Sequence, residues 1–542
     1  MSWRDKPAEI SEDQISEERT ADVVVVGLGY AGSAAVRAAT EAGVSAIGIE
    51  AMPRERQVLF GRDVGHINSR FLRSRGVPAV DPIDLFNEWM RRAGNRANPS
   101  LVMKYCQNCG TAFDWYTDMY TEDELKPLHV AFCPNGGEQY REALTSGKVD
   151  INGYHFWYGT AQFPDPMCWP GNPTLQECAK ANMAKAEQEG AQLIFDEEGV
   201  QLVKDEDGVK GVITKTKDGV YRRYFAKRGV ILAAGDFSGD KEMVDDLCMD
   251  IADLKTPEDK AMPSPGRRGG GLKMGVWAGG RVESRPLPTM GGNTINFVGP
   301  CTFGSLWLDA EGNRFCNEVF GGTELRGFPG NQIGRGEMYL VFDEHYVDRE
   351  LAWAYPSHGN VDANMPRVLE PLRDLISAGK AGQTEVEIPL AAPMRGNVTV
   401  YAGATPEELV DHAVLTGKVR ENVIRSITRY NEICARGRDD DFGRDPKMLG
   451  EMSGTLFLQK VRPSMMFQML VSVGGLVTDS EQQVLDENYE RISGLYATGN
   501  CCGRRFGMQY ATPISGVSIG IAITLGREAG KAAAQAPESG EV

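Results

Sequence analysis

An α/β fold built on a Rossmann-type nucleotide-binding domain is what this sequence predicts, on three observations. Residues 21–26 form a β-branched run of strand length, the glycine turn Gly27-x-Gly29-x-x-Gly32 follows without a break, and a second apolar run, residues 45–49, ends in Glu50. Each glycine has its own task. Gly27 permits the tight turn, Gly29 lets the backbone approach a pyrophosphate, and Gly32 lets the following helix, residues 33–42, pack close to the strand. The N-terminus of that helix, with Ala31 beside it, turns its positive end toward phosphate charge. Glu50 stands where a carboxylate hydrogen-bonds a ribose hydroxyl, and Ala51 follows in the same loop.

A chain of 542 residues exceeds the roughly 250–300 that one hydrophobic core supports, so two domains are expected. With 42% hydrophobic and 25% charged residues the composition is ordinary and globular, which excludes disordered and collagen-like classes. The 58 basic against 75 acidic residues give a charge of −17, whose field repels nucleic acid and anionic lipid. The first twenty residues are dense in charge and lack the apolar core of a secretion signal. Apolar stretches at 21–26 and 519–525 fall far short of the ~20 residues that span a bilayer. A cytoplasmic protein without a membrane span is expected.

Eleven cysteines scattered over a long chain point to reduced thiols rather than a disulfide framework. Cys106-Gln107-Asn108-Cys109 has redox or zinc spacing, but no second pair follows, and residues 101–120 read as an amphipathic helix. Structural thiols are expected there and at Cys501-Cys502, and no metal.

The glycine turn serves NAD as well as FAD, and distant segments decide between them. Residues 190–195, 209–214 and 229–235 form a returning set of short strands, the last ending in Ala234-Gly235, small enough for close approach to a cofactor. Residues 494–500 are another apolar strand ending in Gly499-Asn500. A helix-like stretch, 515–534, opens with Ser515-Gly516-Val517.

To these are added Gly312-Asn313-Arg314-Phe315-Cys316-Asn317-Glu318, Arg429-Tyr430-Asn431, Asp441-Phe442-Gly443-Arg444 and Gly474-Gly475-Leu476. With all of them in order, the chain resembles, over nearly its whole length, the flavoprotein family that contains fumarate reductases, urocanate reductases and ketosteroid dehydrogenases. The resemblance implies FAD on a glutathione-reductase-like domain assembled from both chain ends, residues 1–288 and 466–542. An α+β capping domain, 289–465, is inserted between them. It implies that the glycine turn, Glu50, Ala51, Ala234, Gly235, Gly499, Asn500 and Ser515 to Val517 all contact the cofactor, and it adds Gly65, His66 and Val200.

The chain also departs from that family. A Gly-Gly-Asn-Ser turn after the ribose acid is replaced by Gln57-Val58-Leu59-Phe60, so the loop is shaped differently. His66, beside the expected flavin ring, reads either as a donor or covalent partner to the flavin or as an ordinary hydrogen-bonded loop histidine. The His-Thr-Met-Gly-Gly run of dicarboxylate reductases is here Val471-Ser472-Val473-Gly474-Gly475, and their His-Gly-Ala-Asn-Arg run is Phe506-Gly507-Met508-Gln509-Tyr510. Both carboxylate clamps are gone, and a buried anion without paired charge is strongly disfavoured. The resemblance also offers Arg326 as proton-transfer residue, provided a short insertion after Glu318 is allowed; a surface arginine is the other reading. Tyr510 falls where ketosteroid dehydrogenases place a catalytic tyrosine on the substrate ketone, although the glycine partner of that tyrosine is not matched. A phenol suits the task, since it is neutral at pH 7 and its hydrogen bond strengthens as enolate charge develops. A loop anchor is the alternative.

The function expected is hydride transfer between flavin N5 and an activated C=C bond of a neutral, bulky enone such as a ketosteroid, with reduction favoured and the electron donor or acceptor unassigned. A dehydrogenase running the reverse reaction is the second reading. An FAD-carrying electron-transfer subunit is the third, disfavoured because the chain has no haem motif or iron–sulfur spacing.

Overall fold

The charged residues ahead of the first apolar run are themselves strand. In the computed structural model, which describes residues 2–57, 59, 61–130, 146–164, 171–248, 267–292, 304–321, 337–352, 366–389, 397–461 and 468–538, β1 is Ile15–Val26, not residues 21–26. The principal elements that follow are α1 (Tyr30–Glu41), β2 (Ala46–Ile49), β3 (Asp63–Gly65), α2 (Pro82–Arg92), α3 (Pro99–Tyr116), β4 (Thr160–Gln162) and α4 (Leu175–Gln188). Then come β5 (Gln192–Ile194), β6 (Glu197–Asp205), β7 (Gly208–Thr216) and β8 (Tyr221–Leu232). The charged half of β1 persists as strand because it lies along the equally charged start of β8: Arg222 pairs with Glu17 at 3.3 Å and Arg223 with Glu18 at 3.0 Å. The apolar half is buried on both faces, Val23 and Val25 in one cluster and Val24 and Val26 in another.

α3 stops at Tyr116, four residues short of the sequence expectation, where Thr117 N–H closes on Phe113 O at 3.1 Å. Cys106 and Cys109 are both buried on it, and burial pushes the Cys109 thiol up to about 12, so it is an inert core thiol.

β9 (Thr289–Gly292) leads out to a second sheet made of β10 (Leu306–Leu308), β11 (Met338–Asp343), β12 (Glu385–Pro389), β13 (Asn397–Gly403) and β14 (Leu456–Val461), in the antiparallel order β10-β11-β14-β13-β12. α5 (Gly417–Arg436) covers one face. β11 is apolar up to Asp343 because it is buried on both sides, Met338, Leu340 and Phe342 in one core and Tyr339 and Val341 in the other. Beside this sheet the family motifs converge as an ion network. Arg314 grips Glu318 with both arms at 2.8 and 2.9 Å and reaches Asp439 at 2.8 Å, while Arg444 approaches Glu318 at 3.3 Å. β15 (Gln468–Ser472) returns antiparallel to β9 as a two-stranded ribbon.

β16 (Gln483–Leu485), β17 (Arg491–Ala497) and α6 (Val517–Gln535) complete the first body. Its eight-stranded sheet runs β16-β17-β8-β1-β2-β5, with β7 on β8 and β6 on β7. The five strands β17, β8, β1, β2 and β5 are parallel neighbours in that order. β8 is long enough for its outer edge to be shared, β7 pairing along its start and β17 along its end. Among the described residues no helix is long and apolar enough to cross a membrane.

α6 packs on α1 and β3 through glycines. A Cβ at Gly526 would lie 2.3 Å from Ala31 O, at Gly530 2.3 Å from Ala35 O, and at Gly520 1.9 Å from Gly65 O. Backbone meets backbone at each, so none has a flexible side chain that could yield. Gly520→Ala should therefore force α6 off β3 and cost about 1–3 kcal/mol or more, read as a lower Tm of the apoprotein. An unchanged Tm would show that the contact is not tight in solution.

Candidate functional site

The parallel strands end in one row. Ile49, Val26, Leu232 and Ala497 are register partners across β2, β1, β8 and β17. A rung of hydrogen bonds crosses just beyond them: Gly27 N–H to Ile49 O at 2.7 Å, Ala233 N–H to Val26 O at 2.8 Å, and Thr498 N–H to Leu232 O at 2.9 Å. Four loops far apart in sequence are thereby gathered at the carboxyl edge of the sheet, where open α/β sheets bind ligands. They carry the glycine turn, Glu50 and Ala51, Ala234 and Gly235, and Gly499 and Asn500.

The turn behaves as its residues require. Gly27 has φ +95° and a Cβ there would strike Ala233 O at 2.6 Å, while a Cβ at Gly32 would lie 1.8 Å from Gly27 O. At Gly29 (φ −69°) and Gly235 a Cβ would meet nothing within 4 Å, so these two backbones border open space at the first turn of α1. A phosphate fits there, facing the helix N-terminus. Gly499, at φ +57°, closes on Ala31, whose Cβ a side chain there would approach to 2.9 Å.

Glu50 accepts N–H bonds from Leu28 at 2.9 Å and Met52 at 3.0 Å, and Ala51 between them is exposed. Gln57, the first residue of the altered loop, is buried and donates to Leu28 O at 2.9 Å and to Glu50 at 3.3 Å, while Val58 and Phe60 lie outside the described residues. Val200 is the bulged residue where β6 and β7 shift register, and Gly199 before it packs against Val26.

A second cluster forms around the start of α6. Gly516 has φ +72°, its carbonyl accepts Gly65 N–H at 2.8 Å, and Ser515 O accepts the Thr160 hydroxyl at 2.8 Å. The N-termini of α1 and α6 thus face the same edge. His66 follows β3 directly. It is stacked on Phe113 with ring centroids 4.0 Å apart, with Nδ1 at 2.9 Å from Val64 O and Nε2 at 2.7 Å from the Ser69 hydroxyl. Burial pushes its ring down to about 3, the bond to Val64 O working the other way. Both nitrogens are engaged by protein, which fits the ordinary hydrogen-bonded loop histidine that was one of the two sequence readings.

Tyr510 is buried, its ring edge-on to Phe506 at 4.9 Å, and Trp89 stacks behind Phe506 at 5.7 Å. Its hydroxyl accepts Ser518 N–H at 3.0 Å, within the first turn of α6. The following loop is held by Arg92, which donates to Thr512 O at 2.7 Å and pairs with buried Glu88 at 2.7 Å. Val471 is buried on the ribbon opposite Met290. Arg326 lies outside the described residues.

Among the buried charges that the sequence reading did not single out are Arg505 and Glu283. Arg505 donates through Nε to Cys502 O at 2.7 Å and through Nη2 to Val473 O at 2.7 Å and Asn500 Oδ1 at 3.1 Å. Glu283 accepts N–H from Gly475 and Arg504, each at 2.9 Å. Burial outweighs those bonds and pushes its carboxyl up to about 7. The signal for Arg505 was present in the tandem Arg504-Arg505 within an otherwise apolar, glycine-rich stretch. Glu283 carries no local signal. No group of three or more residues able to hold a metal occurs among the described residues.

Comparison with known proteins identifies the family. The FAD binding domain family matches residues 22–519. A fumarate reductase (cytochrome) of Shewanella frigidimarina is 24% identical over 559 residues, covering 98% of this chain and 82% of that protein. The vinyl phenol reductase of Lactiplantibacillus plantarum is 23% identical, covering 95% of this chain and 96% of its own. Among solved structures, a 3-ketosteroid-Δ4-(5α)-dehydrogenase from Rhodococcus jostii RHA1 shares the fold with a TM-score of 0.68 at 19% identity, covering 96% of this chain and 98% of that one.

Two predictions follow from the site. Gly29→Ala fits the apoprotein without a clash, so its apo Tm should stay near wild type while FAD binding weakens at least tenfold; unimpaired FAD binding would move the pyrophosphate elsewhere. Glu283 holds a proton in the folded chain that the unfolded chain releases near pH 4.5. The stability this carries, about 3 kcal/mol, is present below that pH and lost as pH rises through about 7. Glu283→Gln should flatten the fall in Tm between about pH 5 and 8, and an unaltered slope would place the titration elsewhere.

Proposed function

The chain belongs to the FAD binding domain family, and from that premise we propose that it reduces an activated C=C bond in a neutral, bulky enone, with Tyr510 polarising the activating carbonyl. It is an FAD-dependent oxidoreductase acting on C=C and CH–CH bonds, related to fumarate reductases and ketosteroid dehydrogenases. FAD, when bound, supplies the hydride chemistry. The glycine turn and the N-terminus of α1 bind its pyrophosphate, and Glu50 receives a ribose hydroxyl.

The observation that carries the reading is the bond from Ser518 N–H to the Tyr510 hydroxyl. By accepting an N–H at a helix N-terminus, the phenol oxygen gives up electron density, and its O–H becomes a stronger donor toward a carbonyl. The anchor and the catalytic readings of Tyr510 therefore meet in one interaction, which fixes the hydroxyl while sharpening it. Negative charge that grows on the substrate oxygen then meets a donor already in place.

Substrate charge is argued from what lines this region. Val471 and Phe506 are buried apolar residues, and the Nε and Nη2 of Arg505 are committed to backbone and Asn500 oxygens, so Arg505 offers no open fork to a carboxylate. The name of the vinyl phenol reductase relative describes a substrate without a carboxylate, in line with this reading. Arg326 is proposed as the group that moves the proton.

The experiment is to reduce the FAD-loaded protein anaerobically and offer ketosteroid enones, vinyl phenols and fumarate in parallel, with neutral alkenes expected to reoxidise it fastest. Fumarate turning over as fast as the best neutral alkene would sink the charge argument. Tyr510→Phe should lower kcat by about 10²–10³-fold, as removal of one oxyanion donor does. It should keep the flavin spectrum and lose only about 1 kcal/mol of stability from the orphaned Ser518 N–H. An unchanged kcat would remove Tyr510 from the chemistry.

A further inference from the structure

Gln57 opens the loop that stands where the family has its Gly-Gly-Asn-Ser turn, and it is only 4% exposed. Its Nε2 makes two bonds, to Leu28 O at 2.9 Å and to Glu50 Oε2 at 3.3 Å, and Leu28 N–H reaches the same Glu50 oxygen at 2.9 Å. Gln57 and Glu50 thus grip Leu28 by both its carbonyl and its N–H, inside the glycine turn. Gln57 is itself held from behind, because Gln176 in the first turn of α4 donates to Gln57 O at 3.0 Å.

This ring acts on both of its neighbours. The Leu28–Gly29 peptide is planar and trans, so its carbonyl and its N–H point opposite ways. With Leu28 O turned to Gln57, Gly29 N–H is turned away from it, and that N–H has no acceptor among the described residues. Gly29 is also where a Cβ would meet nothing within 4 Å. On the other side, Glu50 Oε2 takes two N–H bonds, whereas Oε1 takes only that of Met52, at 3.0 Å, among the described residues. A carboxylate oxygen accepts about two hydrogen bonds, so Oε1 is the one with room left.

We propose that Gln57 is the positioning residue of the nucleotide site, turning the Leu28–Gly29 peptide so that its N–H meets the pyrophosphate of FAD and holding Glu50 so that Oε1 meets the ribose. Without the side-chain amide, Leu28 O loses the partner that keeps a carbonyl dipole from facing phosphate charge, and the Glu50 carboxylate is free to rotate. This rests on the FAD assignment and not on the choice of alkene.

The test is binding of FAD and of ADP to the apoprotein of wild type, Gln57→Leu and Gln57→Glu, by flavin fluorescence and by calorimetry, with the apo Tm measured alongside. ADP carries the adenosine and the pyrophosphate without the ring, so it reads this end of the site alone. Gln57→Leu keeps the bulk and loses the donor; Kd should rise at least about tenfold for FAD, and for ADP by the same factor within about threefold. Gln57→Glu sets a second carboxylate against Glu50 and Leu28 O at about pH 8, while at about pH 5 the shared site holds a proton and a donor is restored. Its affinity for both ligands should therefore improve at least about threefold on that descent, with wild type changing less. Should Gln57→Leu fail to fold, this pH response is read in its place. An FAD affinity in Gln57→Leu within threefold of wild type, whatever its Tm, makes Gln57 a packing residue and overturns the proposal. So does weakened FAD with unchanged ADP, which would place the effect at the flavin ring, and so does a Gln57→Glu affinity that follows the wild type between the two pH values.

Discussion

Everything at the nucleotide edge depends on backbone touching backbone between α6 and the elements it crosses. Gly520, Gly526 and Gly530 bring α6 against Gly65, Ala31 and Ala35 at distances that leave no room for a Cβ. That contact fixes α1, whose first turn carries the phosphate-facing amides, and β3, whose Gly65 is hydrogen-bonded to Gly516. Two helix N-termini are thereby aimed at one edge by steric necessity. A side chain between the helices would separate them and spread the positive ends apart.

The second body is organised by charge rather than by glycine. Glu318 is fully buried and receives two bonds from Arg314 and a third from Arg444, with Tyr430 lying against both guanidiniums at 5.3 and 5.6 Å. Removing Glu318 would take the shared carboxylate from two buried guanidiniums at once, which is more costly than never having built the network. The motif stretches that mark this part of the chain are thus a scaffold, joined from three places in sequence.

What the sequence disclosed was decided by how local the cause is. The glycine turn, Glu50 and the parallel strands were legible because strand length, turn chemistry and helix start are all written within about thirty residues. The charged half of β1 was not, since Glu17 and Glu18 are strand residues only by virtue of Arg222 and Arg223, some two hundred positions away. His66 was correctly placed in its loop, yet which way its ring faces depends on Phe113 and Ser69, and no spacing rule carries that. Arg505 is the same case at larger scale. Its burial comes from the meeting of three chain segments, and composition alone would have left it on the surface.

The α1–α6 contact also sets an order of events in the life of the chain. Ala31 and Gly526 stand 495 positions apart, and β1 cannot be flanked by β8 until Leu232 has emerged. At a synthesis rate of about 5–20 residues per second, the first helix therefore waits on the order of 25–100 s for its partner. During that interval its alanine- and valine-rich face is open to solvent and to other nascent chains, the condition under which chaperones hold a protein. The phosphate-binding turn is made long before the helix that completes its setting, which makes acquisition of FAD an event that follows the synthesis of α6.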